Sequence, residues 1–187
     1  GQEFGEKGMD KEGFSGRDGR TTIFDYWSPE TLTHAYQEGE EEAYTAEQKY
    51  LAATYRQLLR LTNEEKALRE GDTFDLMYVN PGSEGFDPRT NFAFLRKKDN
   101  EVMLIVLNFA QEARQLQVCI PGHAFDFFQI TEEEVLVTEL FSGGKKKVEL
   151  KRGGVFPILM DANGVRIYKF NVKMEESDII LNEHHKE

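Results

Sequence analysis

Hydrophobic and polar positions along the chain change their period near residue 71. Over residues 45–62 the apolar positions recur at helical spacing, which predicts an amphipathic helix. Thr45 and Gln48 form the capping-box pattern that starts such a helix. After Gly71 the apolar and polar residues alternate in short runs, which indicates β-strands. The sequence therefore predicts a first part with helices and a second part rich in strands.

Two shorter helices are predicted beside the main one. Residues 1–44 are polar and glycine-rich, and we expect a long loop there with one helix over residues 28–37, started by a serine cap and a proline. Thr62 and Glu65 repeat the capping pattern and predict another short helix, which Gly71 ends.

The second part is predicted to form a β-sandwich. Eight short strands are expected, at 72–79, 91–98, 101–110, 114–120, 134–141, 146–152, 155–160 and 165–172. Asp99-Asn100 and Asn163-Gly164 are typical of tight hairpin turns. Pro157 predicts a strand that lies at an edge or carries a bulge, and the run 101–110, apolar on both faces, predicts a central strand. Because no helix is predicted between the strands, the fold class is an antiparallel Greek-key sandwich.

Composition and charge exclude several classes of function. The chain has 187 residues and a net charge of −11, which repels nucleic acid. A single cysteine, Cys119, rules out an internal disulfide, and in an alternating strand it is more often a small packing residue than a nucleophile. The four histidines do not have metal-ligand spacing, so we expect no metal and no cofactor.

The opening loop carries the best-placed candidate chemistry. Phe24, Tyr26 and Trp27 lie close in sequence to Arg17 and Arg20. Aromatic rings can stack on the apolar faces of sugars, and arginines can bind their hydroxyl groups. The simpler alternative is that Phe24 and Trp27 anchor the loop to its own core. The residues leave both interpretations open.

The order of segments resembles a known family. The chain reads "GQEFGE", then "GRTTIFDYWS", "YLAATYRQLLRL", "ALREGD" and "NFAFLRKKDNEVMLIVLNF". This order is similar to the C-terminal part of an α-amylase-type enzyme of glycoside hydrolase family 13, over residues 1–172. The resemblance implies that residues 1–71 are the end of a (β/α)8 barrel, comprising the loop after strand eight and the eighth helix. It makes residues 72–172 the C-terminal β-sandwich and residues 173–187 a polar tail.

The resemblance also implies an activity for the intact enzyme. Family members cleave α-linked glucans such as starch and maltooligosaccharides by a retaining mechanism. No stretch here matches the segments that hold their catalytic carboxylates, so we assign no catalytic residue and expect the chain to be inactive alone. Within the loop that borders the cleft, Asp18, Arg20 and Tyr26 are the expected substrate-binding residues. The expected partners are the α-glucan, the missing barrel portion and a second copy bound through the surface that would face the barrel.

A second function class stays open. The chain could be a stand-alone, non-catalytic module that binds carbohydrate or serves a structural role. Such a module would show exposed aromatic side chains on one face, and Phe125, Phe127 and Phe128 are the candidates. Their alternation in sequence favours packing in the core instead.

Overall fold

A computed structural model describes residues 2–5 and 44–173 of the chain. This part divides into two compact units, with the boundary between residues 64 and 65. The helices are α1 (Ala46–Glu64), α2 (Lys66–Glu70) and α3 (Gly122–Phe128). The strands are β1 (Asp72–Asp75), β2 (Asn91–Lys98), β3 (Glu101–Asn108), β4 (Arg114–Ile120), β5 (Glu133–Glu139), β6 (Lys145–Leu150), β7 (Gly154–Met160) and β8 (Val165–Asn171).

Helix α1 starts at the predicted capping box. The backbone N–H of Gln48 donates to the hydroxyl of Thr45 at 3.2 Å, and the backbone N–H of Thr45 donates to Gln48 Oε1 at 3.0 Å. One short 3-10 turn, Gln2–Phe4, lies against this helix where loop was predicted. The ring of Phe4 stacks on Tyr44 with 5.7 Å between centroids. The first unit therefore has a satisfied helix start and a local aromatic contact.

The second predicted cap, at Thr62, is wrong. Helix α1 continues past this residue, and the Thr62 hydroxyl donates back to the carbonyl oxygen of Leu59 at 2.8 Å. A threonine that bonds to the preceding turn cannot cap the next helix. Gly71 does end α2, and its N–H donates to Ala67 O. A Cβ on Gly71 would lie 2.4 Å from that oxygen, so only glycine fits.

The predicted sandwich is confirmed. The fold is mainly β, with antiparallel strands in a six-stranded sheet of order β1-β2-β3-β8-β5-β6 and a two-stranded sheet of β4 and β7. Strand β3 lies between β2 and β8, in the centre of the large sheet, as its apolar sequence predicts. Pro157 lies in β7, which pairs only with β4 and is therefore an edge strand, as predicted.

One hydrophobic core joins the two sheets. Alternate side chains of each strand point inward, including Leu104 on β3, Val118 on β4, Phe156 on β7 and Phe170 on β8. Hydrophobic side chains of this size stabilise by about 1.5–3 kcal/mol each when fully buried. The period-two pattern of the sequence therefore gives the fold its main source of stability.

The expectation of strands without an intervening helix is wrong at α3. Pro121 precedes the helix in an extended conformation, and Gln129 ends it at φ 53°. Phe125 and Phe128, three residues apart, face the core, whereas Phe127 is exposed. The Phe-x-Phe-Phe run looks like alternation, but its buried members have the spacing of one helix face.

The two predicted hairpin turns have different outcomes. Asp99, at φ 51°, begins the two-residue turn between the paired strands β2 and β3, so this hairpin is confirmed. The Asn163-Gly164 hairpin is wrong, because β7 pairs with β4 whereas β8 pairs with β3 and β5. Asn163 has φ 49° and its N–H donates to Ala110 O. The residues form a tight turn, but the turn carries the chain from one sheet to the other.

The first strand is shorter than predicted. It ends at Asp75, whose side chain accepts a hydrogen bond from the N–H of Met77 at 2.8 Å. This local turn diverts the chain from the sheet although the alternation continues in sequence.

Candidate functional site

The predicted substrate-binding residues lie outside the described part of the chain. Asp18, Arg20 and Tyr26 belong to residues 6–43, for which the structure gives no description. The predicted helix over residues 28–37 lies in the same range. These assignments stay predictions, and the candidate sites below come from the second unit alone.

A groove opens on the sandwich beside the free edge of β7. Its volume is about 400 Å³. The lining residues come from β5, β6, β7, β8 and the turn between β5 and β6: Val137, Glu139, Ser142, Gly144, Lys145, Lys146, Pro157, Leu159, Arg166 and Tyr168. Two strands cannot cover the inner face of six, so part of the large sheet stays open here. The groove is a direct result of the unequal sheets.

Strand register places a lysine on the inner side of this opening. Lys146 is opposite Val137 on β5, and Val137 is buried in the core. Val148 and Leu150, which follow Lys146 at period two on β6, pack against the core or lie in it. The ammonium group of Lys146 lies 4.2 Å from the centre of the Phe156 ring. A cation that lines the groove therefore lies over an aromatic side chain of the core.

Positive charge predominates in the groove. Lys145, Lys146 and Arg166 face one carboxylate, that of Glu139. Within the described ranges no carboxylate contacts either lysine. Burial lowers the pKa of Lys146, because partial removal from water disfavours the charged form. Arg166 donates to Asp161 Oδ2 at 2.8 Å.

The carboxylate of Glu139 is already occupied by its own turn. Its two oxygens accept hydrogen bonds from the backbone N–H groups of Phe141 and Ser142, at 3.2 and 2.8 Å. Burial raises the pKa of Glu139, but the hydrogen bonds from Ser142 and Phe141 and the charge of Arg166 outweigh it and lower the pKa overall. Glu139 therefore stays ionised and shapes the turn.

Tyr168 is one of the residues that line the groove. Tyr168 as a whole is 8% exposed, and its ring contacts that of Phe156 with 5.0 Å between centroids. Its hydroxyl makes no hydrogen bond to any residue of the described part. Burial is the main cause of a raised pKa at Tyr168, so the phenol is protonated and can donate.

A second surface feature is a group of aromatic rings beside α3. The ring of Phe74 lies 6.2 Å from Tyr78 and 5.5 Å from Phe127. Tyr78 and Phe127 are each 55% exposed. The Tyr78 hydroxyl lies 3.4 Å from His123 Nδ1. Of the three phenylalanines considered from the sequence, only Phe127 belongs to an exposed surface.

Two carboxylates, those of Glu65 and Glu101, have a structural role. Lys169 forms ion pairs with both Glu65 and Glu101, the latter at 2.9 Å. Glu101 also accepts the N–H of Ala67 at 2.7 Å, which ties α2 to the sheet. Burial raises the pKa of Glu101, but the bonds from Ala67 and Lys169 lower it overall. A carboxylate held ionised in this way cannot serve as the general acid of a glycosidase.

Neither a reactive cysteine nor a metal cluster is found among the described residues. The Cys119 side chain is half-buried, and burial raises the pKa of its thiol, which disfavours the nucleophilic thiolate. Among residues 2–5 and 44–173, no three His, Cys, Asp or Glu side chains come together as a metal site. No helix in the same ranges has the length and apolar character needed to cross a membrane.

Sequence reasoning missed the groove. The signal was the alternation of Lys146, Val148 and Leu150, which assigns a lysine to the inner face of a strand. The three consecutive lysines at 145–147 favoured a different interpretation, because such a run is typical of a solvated hairpin. The pairing of β8 with β5, which brings Arg166 and Tyr168 to the same place, is not visible in sequence.

Comparison with known proteins gives similarity at the level of the fold. No protein-family model and no curated protein matches the sequence. Similar solved structures include AmyP in complex with maltose (TM-score 0.49, 13% identity, 71% of this chain and 22% of that one). They also include the α-amylase of Geobacillus thermoleovorans with acarbose (TM-score 0.47, 16% identity, 70% and 24%). An Anoxybacillus α-amylase matches with a TM-score of 0.44 and 20% identity, over 68% of this chain and 24% of that one. The chain thus spans about a quarter of the length of these similar solved structures, two of which are α-amylases.

Proposed function

We propose that the chain is part of an α-glucan-acting glycoside hydrolase, in which the β-sandwich is a non-catalytic domain. One observation carries this proposal: the segments of the sequence resemblance coincide with elements of the structure. The segment "ALREGD" forms α2 and the start of β1, and "NFAFLRKKDNEVMLIVLNF" forms the β2–β3 hairpin in the large sheet. The helix before them and the strands after them follow in the expected order.

The state of two carboxylates of the sandwich, Glu101 and Glu139, supports a non-catalytic role. A retaining glycosidase needs one carboxylate free to attack and another that holds a proton at neutral pH. Glu101 and Glu139 both have lowered pKa values and are bound to backbone N–H groups. On this proposal the reactive carboxylates belong to a preceding barrel, and the sandwich stabilises that barrel.

Three residues outside the described ranges would contact the glucan. Asp18, Arg20 and Tyr26 would lie in the loop that borders the cleft, where the arginine and the aspartate bind sugar hydroxyls and the tyrosine stacks on a ring. The test is to produce the protein of the complete reading frame that contains this sequence and to measure its hydrolysis of maltoheptaose.

The variant Arg20→Ala in that protein should raise KM for maltoheptaose several-fold. Arg89→Ala is the matched control, because Arg89 is exposed on the sandwich and pairs with Asp87. The proposal predicts an unchanged KM for the control. A complete protein without activity on α-glucans would overturn the proposed function, whereas equal KM values would overturn only the assignment of Arg20.

A second candidate is a stand-alone carbohydrate-binding module. The exposed rings of Tyr78 and Phe127, both in contact with Phe74, favour it. Calorimetric titration of the 187-residue chain with maltoheptaose tests it. Saturable binding that Tyr78→Ala abolishes would support the module, and no heat would exclude it for this sugar.

A further inference from the structure

The groove beside β7 has a charge opposite to that of the whole chain. The sequence carries a net charge of −11, yet three cations and one carboxylate line this groove, and one of the cations, Arg166, also pairs with Asp161 at 2.8 Å. The one carboxylate, Glu139, has both oxygens on backbone N–H groups. Within the described part of the second unit, neither Lys145 nor Lys146 has a carboxylate in contact with its ammonium group.

Tyr168 presents a hydrogen-bonding group to the groove. The residue as a whole is 8% exposed, but its hydroxyl reaches solvent, because Thr90 Oγ1 is the one fully buried side-chain N or O atom without a partner in the described ranges. None of the described residues bonds to the Tyr168 hydroxyl, so this group can donate to water or to a ligand. The hydroxyl belongs to a residue that lines the groove, so a molecule bound in the groove can supply the partner.

The apolar part of the lining suits a ligand with a carbon skeleton beside its charge. Pro157 and Leu159, on the edge strand β7, form part of the wall, and Leu159 is 66% exposed. A volume of about 400 Å³ is in the range of small-molecule sites. The groove thus combines donors and positive charge with an apolar surface.

We propose that this groove binds a dianionic phosphoryl group, either inorganic phosphate or a small phosphomonoester. Lys146 and Arg166 supply charge-assisted hydrogen bonds to the phosphoryl oxygens, and the Tyr168 hydroxyl donates another. Lys145 adds to the positive field at the mouth. Pro157 and Leu159 contact the organic part of a phosphomonoester.

A structural role for Lys146 makes different predictions. Inward-pointing lysines on edge strands discourage pairing with other chains, and β6 is an edge strand of the large sheet. If Lys146 had only that role, Lys146→Met would change the self-association of the protein, and neither the parent nor the variant would bind phosphate. The binding role predicts a change in phosphate affinity in a protein whose oligomeric state is constant.

The test is a titration of the 187-residue chain at constant ionic strength. Inorganic phosphate and glucose 6-phosphate are the two probes, and chloride and glucose are the controls. Heats from calorimetry and chemical shifts of labelled tyrosine rings give the affinity and the place of binding. We expect saturable binding of both phosphates, with a shifted Tyr168 resonance, and no binding of chloride or glucose.

Two variants with the same amino-acid composition distinguish the loss of the binding site from the loss of surface charge. Lys146→Met should weaken phosphate binding at least tenfold. Lys147→Met is the matched control, because Lys147 is the next residue on β6 and pairs with Glu134 at 2.6 Å; its affinity should equal that of the parent. Tyr168→Phe should weaken binding several-fold and leave the urea midpoint unchanged.

The outcomes also distinguish the two sources of phosphate. Tighter binding of glucose 6-phosphate than of inorganic phosphate would support a phosphomonoester as the ligand, and equal affinities would support the phosphoryl group alone. Absence of saturable binding, or equal losses in Lys146→Met and Lys147→Met, would overturn the proposal. None of these results depends on the proposed glucan activity.

Discussion

The side-chain amide of Asn91 donates a hydrogen bond to Asn108 Oδ1 at 3.0 Å, and both residues are buried. The same Asn108 oxygen accepts the N–H of Ala110. Asn108 Nδ2 donates to the carbonyl oxygens of Glu112 and Asp161, at 2.9 and 2.8 Å. One amide thereby satisfies four groups at the corner where the chain leaves the large sheet and later returns to it.

Replacing Asn108 should therefore destabilise the sandwich strongly. Asn108→Ala removes four hydrogen bonds and leaves buried groups without partners, so we expect a loss of at least about 3 kcal/mol. Urea unfolding followed by circular dichroism measures it. Asn100→Ala, at an exposed turn, is the control and should change stability by less than about 0.5 kcal/mol. Similar losses for both variants would contradict the network described here.

Two glycines of one loop provide a second comparison. Gly85 has φ 75°, and a Cβ there would lie 2.0 Å from the carbonyl oxygen of Gln115, whereas a Cβ on Gly82 would meet no atom within 4 Å. Gly85→Ala should cost about 2–4 kcal/mol through strain and displacement of β4. Gly82→Ala should be nearly neutral in the same denaturation experiment. A stable Gly85→Ala variant would show that the loop packs differently.

The ion pairs of Lys169 predict a dependence on pH. The pKa of Glu101 is lowered in the folded state, so its stabilising effect is present above the unfolded pKa and is lost as pH falls through the folded value. Lys169→Met removes the cation and leaves Glu65 and Glu101 facing each other. We expect a loss of about 1–3 kcal/mol at pH 7 that becomes smaller toward pH 4. Denaturation curves at both pH values test this, and a loss independent of pH would contradict it.

Asp87 predicts a second acid-sensitive contact. Hydrogen bonds from the side chain and backbone of Arg89 lower its pKa to about 2 from an ordinary 3.8. Its contribution is therefore complete above about pH 4 and disappears as pH falls to about 2. Carbon-detected NMR titration of the Asp87 carboxyl should give the low value, and Arg89→Ala should return it toward 3.8. An unshifted Asp87 in the parent chain would rule out this contact in solution.

Much of the fold could be predicted because its signals are local. Alternation and turn residues located the strands from β2 to β8 to within a few residues at each end, and the capping box of Thr45 gave the start of α1. The errors arose where a local signal has two outcomes. Asn163-Gly164 makes a tight turn, but whether the next strand pairs with the last depends on distant residues such as Asn108.

The candidate sites were less predictable for the same reason. The groove needs Lys146 of β6 and Tyr168 of β8 on one face, and only the pairing of both strands with β5 brings them together. Phe127 was considered as part of a surface aromatic patch, and it is exposed. Its neighbour Tyr78 could not be assigned to the same patch, because that contact depends on the unpredicted helix α3.

The most direct measurement of the central claim is the release of reducing ends from amylose. The purified 187-residue chain is assayed beside the protein of the complete reading frame, at equal molar concentration. If the sandwich is a non-catalytic domain of an α-glucan hydrolase, the complete protein cleaves amylose and the 187-residue chain gives no signal above the blank. Turnover by the 187-residue chain alone at an ordinary enzymatic rate, about 1–10³ s⁻¹, would contradict the account.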